Sequence, residues 1–534
     1  MIAFSGNNWS ELFNIAALVL LPVFLYAEMH YRLPLLKGFL YKKQPEILFD
    51  LPCRTETGII PVLLLIKDAH WFPVTIDRLL VRLIAQDGHS IYREIPVPLK
   101  KQVTQKWFHI IIDIDVSEYK NQWLGVDCFA YVTYGKKSTV IHNDNYRTLS
   151  QRPFNIFIDS DPIPLEKGWL WGDMHSHSSF TEDQVEFGAP PECYRIMARA
   201  MGISFYALTE HSYDMDDTED SWTENDPQLR KWAKFRQSIQ ELNANDPDFL
   251  IIPGEEVSVD NGFGRTVHMG ILNNPNFHIG TGDGMEHSLG KETENHYAKV
   301  LDSIPENTLA FAAHPFDNPS LLHRLLIRRG VWNRWDSHPR LDGLQILNGN
   351  PTADFEWGKK FWISQLLKGR RQLIYAGNDS HGNFNRFRQI VLPLLFMREH
   401  RHQIFGYNLT GVKSDLAKGM NGIIKDLKKA SVIISNGPFI CLSMDSARIL
   451  TITAKTSTFF GSLKTISVYL GDPAKQKEFN FHTKKFQNGQ TDHTIHLATD
   501  DIPDQGYFRA ELSTHKDRFA MTNAVWFEVH PKVI

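Results

Sequence analysis

The chain has 534 residues, 42% of them hydrophobic and 22% charged, so it exceeds one ordinary domain and has globular composition. A formal net charge of −4 leaves no electrostatic footprint for nucleic acid. Cys53, Cys128, Cys193 and Cys441 stand far apart with no CxxC, which argues against a disulfide scaffold or cysteine zinc module and fits a reducing compartment. One Cys53–Cys128 bridge stays open.

Residues 1–45 hold the apolar run Leu12–Ala27, interrupted by Asn14 and Pro22. The run has no basic segment before it and is shorter than the ~20 residues of a spanning helix. Two readings stay open: a helix packed on the protein, or a membrane anchor with Arg32, Lys37, Lys42 and Lys43 on its cytoplasmic side. The expected location is cytoplasmic, with membrane contact through 12–27 under the second reading.

Residues 46–161 read as a β-sandwich-like domain. Ile59–Lys67, Val74–Ala85, Ser90–Ile95, Trp107–Ile114 and Val126–Tyr134 are rich in Val, Ile and aromatics, and Asp87-Gly88 is a hairpin turn signal. Pro162-Ile163-Pro164 reads as a linker, and over 162–435 the period changes. A strand starts at Trp169. Pro190-Pro191 opens a helix that Gly202 stops, followed by strand Ile203–Leu208. Leu229, Trp232, Ala233, Ile239 and Leu242 mark an amphipathic helix. Strand Phe249–Ile252 and an extended pair ending near Leu272 follow, then a helix near Tyr297–Ile304 and strand Leu309–Ala312. Pro319–Arg329 reads as helix, Leu344–Leu347 as strand, Phe355–Leu367 as helix and Leu373–Ala376 as strand. Strands alternating with helices predict an α/β unit with a parallel sheet, closed as a barrel more readily than open. After a helix at Asn421–Ser431, residues 436–534 read as a C-terminal β domain.

The residues just past these strands carry the chemistry. His175 and His177 share one face of an extended segment, a ready pair of metal ligands. Alone, such a pair is more often satisfied or surface histidine. Here the pattern recurs: Thr209-Glu210-His211, Gly254-Glu255-Glu256, Val267-His268, Ala313-His314-Pro315, Gln345 with Asn348, and Gly377-Asn378-Asp379-Ser380-His381. Loops at the carboxyl ends of βα strands build sites, and solvated surface does not explain a histidine on nearly every strand end. Glu182 and Asp183 add hard oxygen donors. Nitrogen and oxygen ligands without thiolate suit zinc, manganese or iron.

Taken in order, HSH, TEH, GEE followed by VHMG, AHP and NDSH resemble the polymerase-and-histidinol-phosphatase (PHP) superfamily of metallohydrolases, over Trp169 to Ser435. The flanking β regions and the ISNGPF segment at 434–439 resemble its carbaryl-hydrolase-like branch. The resemblance implies a distorted (β/α)7 barrel, a TIM-like barrel, holding two or three divalent ions. It implies one ion on His175, His177, Glu256 and Asp379; a second on Glu182, His211 and His381; and a third on Glu256, His268 and His314. Glu256, Asp379 and His381 would be the catalytic groups. The family has aspartate where this chain has Glu182, so Glu182 and Asp183 both stay open, and Gln345 replaces a family carboxylate. Arg265, Arg386 and Arg388 follow site motifs and are candidate substrate-binding groups, with a surface role equally open. Asp214, Asp216 and Asp217 read as solvated loop acids more readily than as a cap on the cleft. The expected activity is hydrolysis of a small-molecule phosphoester. The alternatives are a carboxylic or carbamic ester on the same site, or a non-catalytic metal-containing binding module.

Overall fold

The computed structural model describes residues 44–528, apart from 146–150, 182–187, 219–220, 281–292, 294, 320–323, 325–327, 333–337, 350, 352, 387–389, 393–395, 398–402 and 500–501. The Leu12–Ala27 run, Glu182, Asp183, Arg388 and most of the expected helix 319–329 lie outside the described residues. Among those described, no helix is long and apolar enough to cross a membrane.

Two sheets fold the N-terminal region. Strands Glu46–Asp50, Ile59–Lys67 and Trp107–Asp115 form one, and Gln122–Tyr134 and Val74–Ile84 lead the other. Alternating residues such as Val62, Leu64, Leu79, Val81, Val126 and Cys128 face inward and fill a shared core. All four cysteines are free thiols, so the Cys53–Cys128 bridge is not formed.

The second region is built on a mixed sheet. Its strands are β1 (Trp169–Asp173), β2 (Phe205–His211), β3 (Leu250–Asp260), β4 (Thr266–Leu272), β5 (Leu309–Ala312), β6 (Gly343–Asn348), β7 (Leu373–Gly377), β8 (Leu409–Lys413) and β9 (Val432–Ser435). The same sheet runs on through the C-terminal strands β10 (Leu463–Asp472), β11 (Lys477–Lys485), β12 (Gln505–Thr514) and β13 (Phe519–Thr522). The order is β7-β6-β5-β4-β3-β2-β1-β8-β9-β13-β12-β10-β11. A second C-terminal sheet, Phe439–Met444, Ile449–Lys455 and Asp492–Ala498, packs on β10 and β12 through Ile452, Val468, Phe508 and Leu512.

This architecture overturns the expected (β/α)7 barrel. Strand accounts for 45% of the structure and helix for 15%, the reverse of a helix-jacketed barrel. β3–β4 and β4–β5 are antiparallel, and β1 pairs antiparallel with β8 rather than with β7. The edge of β7 is sealed by side chains instead of a strand. Thr410 Oγ1 accepts from Ala376 N–H and donates to Ala376 O, both at 2.8 Å. Asn523 accepts from Ile374 N–H at 2.8 Å and donates to Ile374 O at 3.1 Å. These bonds satisfy backbone groups that would otherwise be buried unpaired. Periodicity in the sequence reports strands and helices but says nothing about which edges meet.

Helix α1 (Pro191–Met201) shows how the local signals operate. Pro191 occupies its first turn, and Gly202 ends it at φ 80°, donating to the carbonyls of Ala198 and Arg199. Its face of Cys193, Tyr194, Met197 and Met201 packs against Trp171 and Tyr206, fixing the helix on the sheet. The Tyr194 hydroxyl donates to His177 O and accepts from Gly382 N–H, each at 2.6 Å. A core helix thereby clamps the segment of His175 and His177 to that of Asp379 and His381.

Candidate metal centre

The strand ends converge on one carboxylate. Glu256 lies near the middle of β3, a strand buried along its length except at Asp260, and is itself 1% exposed. Its Oε1 lies 2.6 Å from His268 Nδ1, 3.0 Å from His314 Nε2 and 3.5 Å from His175 Nε2. Its Oε2 lies 3.3 Å from His211 Nε2 and 3.5 Å from His177 Nε2, and accepts no hydrogen bond. Asp379 Oδ1 adds a second carboxylate, 3.0 Å from His177 Nε2 and 3.5 Å from His175 Nε2. The His381 ring stacks on His177 with centroids 4.2 Å apart. The eight ligands named from the sequence that fall among the described residues therefore meet in one cluster, all buried but the half-buried Asp379.

Three subsets have donor atoms within 4.8 Å of one another: His175, His177, Glu256 and Asp379; His177, His211 and His381; and Glu256, His268 and His314. The donor set fits divalent metals. Nε2 atoms of His175 and His177 face each other at 3.1 Å, and two imidazole lone pairs aimed at one point require a proton or a cation between them. The buried, unbonded Glu256 Oε2 calls for the same.

Neighbouring groups set which nitrogen points inward. Gln345 Oε1 lies 2.8 Å from His175 Nδ1, so that nitrogen carries the proton and Nε2 is left as a donor pair. Tyr213 OH lies 2.6 Å, and Asp214 Oδ2 3.4 Å, from His211 Nδ1. The Asp379 carbonyl lies 3.2 Å from His381 Nδ1, and Gln403 donates to Asp379 Oδ2 at 3.0 Å. Two ligand positions hold strained backbone: His314 at φ 27° and Asp379 at φ 50°. Non-glycine residues keep such angles where surrounding structure enforces them, and they cluster at functional sites.

Electrostatics sort the carboxylates. Burial opposes charge on Glu256, but the rings of His268 and His175 outweigh it and hold the group well below the usual carboxylate range. Burial likewise opposes charge on Asp379, and His175 and His177 reverse it. Burial works against a charged His175, yet Glu256 and Asp379 raise that ring to about 9. His381 is pushed down to about 4, first by burial. Glu255, one residue from Glu256 on the strand, points to the opposite face. It accepts from His278 N–H at 3.2 Å and Ser212 Oγ at 3.4 Å, and burial pushes its pKa up to about 8. Of the two adjacent glutamates, only Glu256 offers the cluster a charge.

The arginines fall elsewhere. Arg265 is exposed on the β3–β4 turn and donates to Arg324 O at 2.9 Å. Arg386 is buried, donates to Arg152 O at 2.8 Å and lies 4.1 Å over the Phe154 ring, so it ties this region to the N-terminal sheets. Neither belongs to the cluster of candidate metal ligands. Among the described residues, the arginine at the site is Arg329, whose guanidinium bonds to His268, with Nη2 3.0 Å from Nδ1. It arrives on a segment bridged to Thr266, a tertiary placement with no sequence signal. Asp214, Asp216 and Asp217 are buried rather than solvated, and burial raises Asp216 to about 7.

No protein-family model and no curated protein matches the chain. Solved structures that align with it include a β-glucuronidase of Bacteroides uniformis, at 9% identity and TM-score 0.19 over 90% of this chain and 60% of that one. A β-glucuronidase of glycoside hydrolase family 2 aligns at 8% identity and TM-score 0.18, over 94% and 63%. The exo-chitosanase CsxA of Amycolatopsis orientalis aligns at 9% identity and TM-score 0.22, over 91% and 64%. The chain thus spans between 60% and 63% of the first of these proteins' own length. Superpositions this poor assign neither fold nor activity. What the structure itself defines is a β-rich protein with a buried His/Glu/Asp centre able to hold metal.

Proposed function

We propose that the chain is a metal-dependent hydrolase of the PHP superfamily acting on small-molecule phosphoesters. The observation that carries the reading is Glu256, whose two oxygens each face a different group of imidazoles in a water-poor pocket. One carboxylate shared between adjacent subsites, with Asp379 charging one of them, is the arrangement a polynuclear hydrolytic centre needs. Bound divalent metals supply Lewis acidity and a hydroxide nucleophile at neutral pH. The chain's own residues do the rest. Gln345 and Tyr213 orient His175 and His211, and Gln403 holds Asp379. Arg329 places a guanidinium at the His268 side, where it suits a phosphoryl oxygen. A multiply charged phosphoryl group uses several cations at once, whereas an ester carbonyl develops a single oxyanion.

The test compares kcat/KM for an aryl phosphate and an aryl ester on one metal-loaded preparation, with inorganic phosphate as inhibitor. Phosphate turnover should dominate and be competitively inhibited. Faster ester turnover without phosphate inhibition would overturn the assignment.

A further inference from the structure

One end of the N-terminal sandwich gathers side chains that the metal centre does not use, and strand register places them together. Glu46 pairs with Lys67, and Lys67 with Trp107, so the entry of the chain at Pro45 lies beside the turns 68–73 and 104–106. Those two turns lead into the second sheet, where Val74 pairs with Val103, Thr75 with Thr133 and Thr133 with Ser138. The hairpin Tyr134-Gly135-Lys136-Lys137 is thereby brought to the same end. Asn145 fixes the entry: its Nδ2 donates to Pro45 O at 2.8 Å, and its Oδ1 accepts from Ile47 N–H at 2.9 Å.

Two kinds of side chain face outward there. Trp71 is 49% exposed, its ring 4.7 Å from that of His70. The turn that presents it is fixed by its backbone. Asp68, at φ 68°, donates its N–H to Lys106 O at 2.7 Å, and its carbonyl accepts from Trp71 N–H at 3.2 Å and Phe72 N–H at 3.1 Å. Lys136 and Lys137 are exposed on the hairpin, and Lys106 is half-buried on its turn. The acids are mostly held back: Glu46 and Asp68 are buried, while Asp77 is exposed and accepts from Thr133 Oγ1 at 2.8 Å.

The sequence carries the same pattern into the entry. Between the apolar run Leu12–Ala27 and Pro45 stand Arg32, Lys37, Lys42 and Lys43 against one acid, Glu28. A run below the ~20 residues that span a bilayer attaches a chain only marginally, and stable attachment takes a second signal such as a basic patch. Tryptophan favours the headgroup level of a bilayer, and lysines add attraction to an anionic leaflet. We propose that this end of the sandwich is a docking face for an anionic lipid surface. Trp71 sits at headgroup level, Lys106, Lys136 and Lys137 lie over the lipid phosphates, and the apolar run enters the fold at the same face. The inference does not depend on the reaction at the metal centre.

Flotation of the full-length protein with vesicles tests it, using phosphatidylcholine alone and phosphatidylcholine mixed with phosphatidylglycerol. The protein should float with the anionic vesicles, at least about tenfold less with the neutral ones, and less again at high salt. K136E/K137E should lower anionic partitioning at least about tenfold. K484E/K485E makes the same charge change on the exposed end of β11 and should leave partitioning unchanged. W71A should lower it several-fold, with W71F recovering part. A parent protein that stays with neither vesicle, or floats equally with both, would overturn the proposal. So would K136E/K137E floating like the parent, which assigns attachment to the apolar run alone, or K484E/K485E losing as much. Thermal melts check the folding of each variant; should W71A melt low, the lysine pair carries the test.

Discussion

Replacing Glu256 with glutamine is the sharpest probe of the centre, because Glu255 supplies its own control. The substitution keeps size and shape and removes one negative charge. Opposite unit charges about 4 Å apart interact by about 4 kcal/mol at an effective dielectric near 20. At about 1.4 kcal/mol per decade, losing that charge weakens cation binding roughly a thousandfold at each subsite Glu256 serves. Five imidazole nitrogens lie 2.6–3.5 Å from its oxygens, and Glu256 belongs to two of the three ligand subsets. Glu255→Gln should do little, since burial already raises that carboxyl to about 8 and keeps it neutral at pH 7. His314→Ala should fall between them, because it removes one ligand on one side. The assay is metal content by elemental analysis beside kcat on an aryl phosphate. Near-normal metal and turnover in E256Q, or equal damage from E255Q, would refute the bridging geometry.

Protein purified without chelator should carry two or three equivalents of zinc, manganese or iron; less than one after reconstitution would count against the centre. Gln345→Leu should lower metal affinity by about 10- to 100-fold without touching a ligand, measured by chelator competition, because His175 loses the partner that fixes its ring. Asn523→Ala should destabilise the fold by about 1–3 kcal/mol in a denaturant titration, since Ile374 N–H and O are left buried and unpaired. At low pH the Asp426 pairs should weaken. Burial disfavours its charge, but Lys418, Lys429 and Ser414 bond to it and hold the folded group at about 2. An unfolded aspartate titrates near ~3.9. That stability is therefore complete above about pH 4 and is lost as pH falls toward 2, so Asp426→Asn should flatten the acid limb of the stability profile over that window.

The ligand cluster was legible because its logic is local. A period of two puts His175 and His177 on one face, and the same period separates Glu255 from Glu256, though only burial shows which of the two is charged. Helix α1 was legible from Pro191 and Gly202 for the same reason. The sheet order was not. Thr410 and Asn523 look like any polar residues in a β segment, and only their meeting with Ala376 and Ile374 makes them the seal of β7. Arg329 and the buried acids Asp214, Asp216 and Asp217 escaped the sequence reading alike, because exposure is a property of the packed chain. Arg386 lies five residues from His381 in sequence, and its guanidinium sits over the Phe154 ring, a placement that sequence distance does not show.

Asn523 lies about 140 residues beyond His381, which sets an order of events during synthesis. At ~5–20 residues per second, a ribosome needs roughly seven to thirty seconds to travel from the last histidine of the cluster to Asn523. Throughout that interval the nascent chain displays its histidines, Glu256 and Asp379 without the finished edge that holds them. A metal met then binds by raw affinity, which favours copper over the ions a finished, rigid pocket selects. Loading is therefore a question of timing as well as fit. Chains released before β13 would have every described ligand and the Thr410 bonds to Ala376, but not the Asn523 bonds to Ile374.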